Sequence, residues 1–340
     1  MNGYERISAA LKGEPADKVP VMLHNFLMAA REHGVTMQQF RDDPKVLAGT
    51  FISAQEKYQY DGILVDVDTV TLAGAVGVPV DFPGDDAART PGGCLETMED
   101  VKKLKPVNIE NYRYVQNWLE GTRLLKEYYG DEVFIRGNCD QDPFSLASMM
   151  RGAQNWMTDL LMADEGLIFD LLEYCTDITS QFLRLMAQTG CDMLSNGDSP
   201  AGPEMISAEM YEKYALPYEK RIADLSHELG LPYGLHICGN TDIILEKMLE
   251  TGSDAFELDY KTDIHKVHDL YKDRVTLIGN IDPSGVIALG TPDEVRRVTQ
   301  ELLELYSDTP YFILNAGCAI PSFAPEENLF AMIETARAFR

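Results

Sequence analysis

The chain has 340 residues, is 45% apolar, and sets 29 basic residues against 55 acidic ones, a formal charge of −26. Such a deficit of cations excludes a phosphate-neutralising face for nucleic acid, and the apolar runs are strand-length, well short of the roughly 20 residues a membrane helix needs. The N-terminal stretch Met1 to Ser8 has no apolar signal region, and the six cysteines (94, 139, 175, 191, 238 and 318) lie scattered without close pairs, so a soluble cytoplasmic protein with free thiols is expected.

Along the chain, apolar strand-like runs alternate with amphipathic helical ones, the pattern of a parallel sheet wrapped by helices. Strands are expected at Val19–Asn25, Gly62–Asp66, Val133–Cys139, Asp192–Asp198, Pro232–Cys238, Ala255–Asp259, Val275–Asn280 and Tyr311–Cys318. Helices fit between most of them, at Pro44–Tyr60, Gly166–Gln188, Ser207–Leu229, Thr241–Glu250 and Pro292–Tyr306, and Pro325–Phe339 closes the chain. Ser207 ahead of Glu209, Thr291 ahead of Pro292 and Glu294, and Ala324 ahead of Pro325 and Glu326 put acidic residues in first turns, where the helix dipole favours them. Eight such units predict an α/β fold: one (β/α)8 TIM barrel forming a single domain over 1–340, with an N-terminal extension and a long insertion between strands 2 and 3. That insertion, Asp66 to Glu132, is expected to cap the barrel mouth and to contain helices near Met98–Leu104 and Tyr112–Tyr129.

Barrel chemistry sits at the C-terminal ends of the strands. Here those ends carry His24, Asp66, Arg136 to Cys139, Asn196 to Asp198, His236 to Cys238, Glu257 to Asp259, Asn280 and Asn315 to Cys318. His236 and Cys238 are two apart on one strand and so point the same way, and Cys318 ends another strand. One imidazole nitrogen and two thiolates suit Zn2+, and three protein ligands leave a fourth position for a reacting group. Glu257 and Asp259 are the candidate carboxylates for that position, with water as competitor.

Four segments give the chain a resemblance: Gly190 to Pro200, Gly234-Leu-His-Ile-Cys-Gly-Asn240, Leu277-Ile-Gly-Asn-Ile-Asp-Pro283 and Leu314-Asn-Ala-Gly-Cys318, with Ala215 to Tyr218 beside them. From about Glu5 onward the chain resembles the uroporphyrinogen decarboxylase superfamily, and within it the zinc-dependent corrinoid methyltransferases. The resemblance implies that His236, Cys238 and Cys318 are the zinc ligands. It further implies methyl transfer between a corrinoid such as methylcobalamin, carried by a corrinoid-binding partner protein, and a small methyl donor or acceptor, in a direction the sequence leaves open. The decarboxylase branch grips its substrate carboxylates with an arginine-rich segment after the first strand. Val21 to Met28 here contains no arginine, which counts against a metal-free decarboxylase.

The remaining strand-end residues are substrate-site candidates. Asp198 and Asn280 are expected to orient the ligating histidine or to touch substrate, since a metal-bound imidazole donates its other N–H to an acceptor. Arg136 reads as the partner of a substrate anion, a sulfonate or carboxylate, or as a counter-charge to Asp140 or Asp142. His24 reads as a proton donor or a simple cap, and Cys139 as a further ligand or substrate-site thiol or as a small buried residue. His33, His227, His265 and His268, among charged neighbours, read as solvated surface.

Overall fold

A computed structural model describes residues 1–339; Arg340, the last residue of the expected domain, lies outside the described residues. Eight parallel strands pair each with the next in chain order: β1 (Met22–Leu23), β2 (Gly62–Val65), β3 (Phe134–Gln141), β4 (Met193–Gly197), β5 (Tyr233–Ile237), β6 (Ala255–Leu258), β7 (Thr276–Ile281) and β8 (Phe312–Ala316). A parallel bridge between Val21 and Leu314 brings β8 back to β1 and completes the (β/α)8 barrel. Among the described residues no helix is long and apolar enough to cross a membrane.

Every expected strand is present, with β1 the most shortened. Pro20 has no N–H to give a ladder, and beyond Leu23 the His24 N–H is taken by the Asn315 side chain (3.0 Å) instead of a neighbouring strand. Two helices depart from expectation. The predicted Ser207–Leu229 helix is two, Ala208–Tyr214 and Leu216–Glu228, because Pro217 removes an N–H and its ring crowds the preceding turn. In place of Thr241–Glu250 there is only Leu245–Met248 with a short 3-10 turn. There the Asn240 side chain takes the Asp242 N–H (2.9 Å) and Thr262 takes that of Thr241 (3.0 Å), both in competition with helix formation.

The extension is a helix, Gly3–Leu11, started by a capping box between Asn2 and Glu5. Its Ile7 and Ala10 plug the N-terminal end of the barrel against Met22, Phe134, Met193, Ala255, Ile278 and Ile313. Gly62 is needed for this: a Cβ there would lie 2.4 Å from Ile7 Cδ1. Between β2 and β3, helix Arg113–Tyr129 packs on helices Pro44–Tyr58 and Glu165–Ala187, and Trp118 Nε1 donates to Val65 O (3.0 Å). It therefore stands in the outer ring as the connecting helix and not over the mouth; only the start of this connection, near Thr69, reaches the cavity. Met98–Lys103 is a 3-10 helix. His268, expected in solvent, is buried on the inner face of helix Ile264–Tyr271, and its Nε2 pairs with Asp308 (2.8 Å).

Candidate functional site

Alternation along the strands sorts the barrel interior into a plugged apolar floor and a polar upper half. On β3, Phe134 joins the floor while Arg136 and Asn138 line a cavity at the C-terminal end. The cavity, ≈ 140 Å³, is further lined by His24, Asp66, Asp140, His236, Cys238, Glu257 and Cys318.

His236, Cys238 and Cys318 converge there, their donor atoms all within 4.8 Å of one another. His236 Nε2 is 2.9 Å from Cys238 Sγ, and the two sulfurs are 3.5 Å apart as free thiols. β5 and β8 are not neighbours in the barrel, so something must draw their ends together. Two glycines do so. Gly239 turns the chain at a φ of 85° directly after Cys238, and Gly317 packs so closely before Cys318 that a Cβ would lie 2.7 Å from Tyr260 N. The 3.5 Å between the sulfurs is within the reach of one small ion, since metal bonds of about 2.0–2.3 Å put tetrahedral donors about 3.3–3.8 Å apart, while the 2.9 Å from His236 Nε2 to Cys238 Sγ is the closer spacing of a direct hydrogen bond. His236 Nδ1 donates to the Glu257 carbonyl (3.0 Å), so Nε2 is the ring nitrogen turned toward the sulfurs. Without an ion, the Cys318 hydrogen bond and, after burial opposes it, the His236 charge bring the Cys238 thiol down to about 3, while the same contact pushes Cys318 up.

Beneath the three donors runs a chain of matched charges. Asp66 Oδ2 takes His24 Nε2 (2.7 Å), His24 Nδ1 meets Glu257 Oε1 (2.9 Å), and Glu257 Oε2 takes Arg136 Nη1 (2.5 Å). Arg136 Nε donates to Ser195 (2.9 Å). Burial alone would lower the His24 pKa, but the Glu257 charge and the two carboxylate hydrogen bonds raise it to about 9, so the ring is an imidazolium at neutral pH. Burial would raise Glu257, yet Arg136 and then His24 hold it well below the usual carboxylate range.

The family model for uroporphyrinogen decarboxylase (URO-D) matches residues 2–339. The chain belongs to the URO-D family. Its relatives include "Methylcobamide:CoM methyltransferase MtbA" of Methanosarcina acetivorans, 30% identical over 99% of this chain and 98% of the relative. They also include a uroporphyrinogen decarboxylase of a Synechococcus species, 25% identical over 97% and 95%. Among solved structures, a methyltransferase from Methanosarcina mazei superposes with a TM-score of 0.91 at 22% identity, covering 100% of this chain and 99% of that one.

On this URO-D barrel three expected site residues, Cys139, Asp198 and Asn280, stand outside the cavity lining, and Glu257 lines it without joining the donor set. Glu257 has both oxygens committed to His24 and Arg136 and lies on the Nδ1 side of His236 (3.7 Å), so it backs the histidine and does not join the donor set. Cys139, on the strand position that points outward, is buried in the layer between sheet and helices, with Sγ 3.9 Å from Gly137 O. Asp198 also faces away from the cavity, accepting from Ser145 N (2.8 Å) and Oγ (2.5 Å). Asn280 donates to the Asp259 backbone carbonyl (3.3 Å) and is not among the lining residues. Arg136 does line the cavity, but its partners are Glu257 and Ser195, not Asp140 or Asp142. Thr69, Asn138, Asp140, Gln141 and Ser199 line the cavity without having been singled out individually. Asn138 was legible from strand alternation. Asp140 continues the same alternation but lies one residue past the expected strand end at Cys139, where β3 runs on to Gln141.

Proposed function

We propose that this chain is a corrinoid-dependent methyltransferase whose His236 Nε2, Cys238 Sγ and Cys318 Sγ hold a zinc ion. Zinc held by three protein donors keeps a position for an outside ligand and, when that ligand is a thiol, draws off its proton to leave a nucleophile. The protein's part is placement. The Glu257 carbonyl fixes the His236 tautomer, Gly239 and Gly317 fix the two sulfurs, and Ser199 Oγ accepts the Cys238 N–H (3.3 Å). The observation that carries the reading is the convergence of an imidazole and two thiols inside a barrel-mouth cavity of a chain related to methyltransferases.

A corrinoid is bulky, and its carrier protein has to meet the mouth. Five of the nine large apolar side chains exposed among the described residues, Met205, Ile243, Tyr260, Leu289 and Phe323, fall one each in the connections after β4 to β8. We assign these side chains, which lie in the connections at the C-terminal end of the barrel, to contact with the corrinoid-carrying partner in the cytoplasm. Decarboxylation of a many-carboxylate substrate fits less well, because the cavity's lining contains a single Lys or Arg, Arg136, already bound to Glu257.

The test is metal analysis joined to methyl transfer from free methylcobalamin to small thiols, followed by the loss of methylcobalamin absorbance. The expected result is about one zinc per chain and thiol-dependent demethylation, both lost in Cys318→Ser. A Cys318→Ser protein that retained zinc and transfer would overturn the assignment.

A further inference from the structure

Arg136 and Asn138 stand two apart on β3, so their side chains point the same way, and both line the cavity. Most of their polar atoms are spent inside the wall. Arg136 gives Nη1 to Glu257 (2.5 Å) and Nε to Ser195 (2.9 Å). Asn138 gives Nδ2 to Asp66 Oδ1 (2.8 Å), and because a carboxylate can only accept, that bond fixes which way the carboxamide is turned. One atom of each remains. Among the described residues neither Arg136 Nη2 nor Asn138 Oδ1 has a hydrogen-bond partner, and neither is sealed from water as the orphaned buried atoms of the molecule are. Asn138 is also the one partly exposed residue of β3. The cavity therefore presents one free N–H donor and one free carbonyl acceptor from the same strand.

Unmatched charge is missing from the lining. Asp66 and Glu257 are matched by His24 and Arg136, and two thiolates cancel a divalent ion. Asp140, the remaining acid, keeps its proton, because burial and then the Asp68 charge push it well above the carboxylate range. A charged group entering this cavity gives up its water and finds no counter-charge in exchange. We propose that the small substrate held here ends, away from its reacting atom, in an uncharged group that both donates and accepts a hydrogen bond, a hydroxyl or a primary carboxamide. The proposal rests on the methyltransferase reading of the cavity and names its substrate class. A hydroxyl accepts from Arg136 Nη2 and donates to Asn138 Oδ1. A sulfonate has no proton for Oδ1, an ammonium has no lone pair for Nη2, and an alkyl end leaves both atoms unpaired. The volume, ≈ 140 Å³, suits a molecule of about six non-hydrogen atoms. Arg136 thereby receives an uncharged acceptor in place of the anion expected from sequence.

The experiment is calorimetric titration of the protein as purified, at pH 7, with four thiols that differ only at the far end: 2-hydroxyethanethiol, propane-1-thiol, 2-aminoethanethiol and 2-mercaptoethanesulfonate. Dissociation constants are referred to each thiol's ionised form, so that the ionised fractions drop out. The alcohol is expected to bind at least about 10-fold tighter than each of the other three, since each leaves a free atom unpaired or brings an unmatched charge. Asn138→Leu, which removes the acceptor, is expected to cut the alcohol's lead over propane-1-thiol at least about 3-fold. The inference is overturned where any of the three comes closer to the alcohol than that 10-fold margin, by an alcohol that does not bind, or by an Asn138→Leu protein that keeps the full lead. The ranking on the unsubstituted protein decides the matter even where the variant fails to fold. Because binding is read without turnover, a protein that ranks the thiols this way yet transfers no methyl group sinks the methyltransferase reading alone. One that transfers methyl groups but prefers a charged or alkyl end sinks this inference alone.

Discussion

Two groups of buried acids lie on opposite faces of the barrel wall, and they are built on opposite principles. Inside, Asp66, His24, Glu257 and Arg136 alternate acid and base, so each charge has a partner within hydrogen-bond distance. Outside, Asp142, Asp198 and Glu219 are all fully buried, and their hydrogen-bond partners are Tyr233, Ser145, Tyr211 and one another. No cation is among those partners. Desolvation comes first in raising all three pKa values, and the neighbouring acids raise Asp142 and Glu219 further, so these carboxyls hold their protons to higher pH than Glu257 does. Fixed charges are worth their desolvation where an imidazole must be held in place; a packing layer between sheet and helix is better served by neutral carboxyls.

The contrast breaks most easily at Glu257. Glu257→Gln leaves the buried Arg136 and His24 without their shared counter-charge, and the expected cost is about 3–5 kcal/mol of unfolding free energy in urea titrations. Glu219→Gln removes a carboxyl that is already neutral, and is expected to stay within about 1 kcal/mol at pH 5. Equal losses in the two variants would show that the charges inside the barrel are not doing separate work. A smaller effect follows on the metal side. Glu257→Gln withdraws the negative charge behind His236 while leaving the carbonyl that fixes its tautomer, so zinc affinity measured by chelator competition is expected to fall about 10-fold, against no change in Glu219→Gln.

How far the sequence reveals these two groups depends on what kind of signal each needs. The eight strands were legible because apolar runs with polar tips survive reading one residue at a time. His236, Cys238 and Cys318 were legible because their side chains have few other reasons to meet. Arg136 and Glu257 were visible as strand-end residues, but not as each other's partner, since that pairing spans the barrel from β3 to β6. Asp198 looked like a mouth residue because it follows β4, and the chain turns there through a 3-10 step at Ser199–Ala201 that sends its carboxyl to Ser145 instead. The helix Gly3–Leu11 and the demand it places on Gly62 were unreadable for a related reason: a floor exists only once all eight strands have closed over it.

The mildest test separates the two groups by pH. Asp198 rises to about 6 in the folded protein, and Asp142 and Glu219 are also raised, whereas all three titrate near 4 in an unfolded chain. Between those limits the folded state binds more protons than the unfolded one, so their contribution is complete below about pH 4 and is lost as pH rises through the folded values. His24, raised to about 9, loses its contribution in the same sense, but only above its unfolded value of about 6.5. Glu257, lowered, contributes in full above its unfolded value of about 4.3 and stays constant over this range. Over the interval from pH 5 to 6.5 the raised acids, with Asp140 among them, pull stability down as pH rises, against the single opposite slope of the lowered Cys238 thiol. Unfolding free energy is expected to decline across it, and the Asp142→Asn, Glu219→Gln double variant to decline less steeply, by about 1–2 kcal/mol per pH unit. A double variant with the wild-type slope would mean that these carboxyls are ionised in the folded protein, and the distinction between a charged interior and a neutral outer layer would fail.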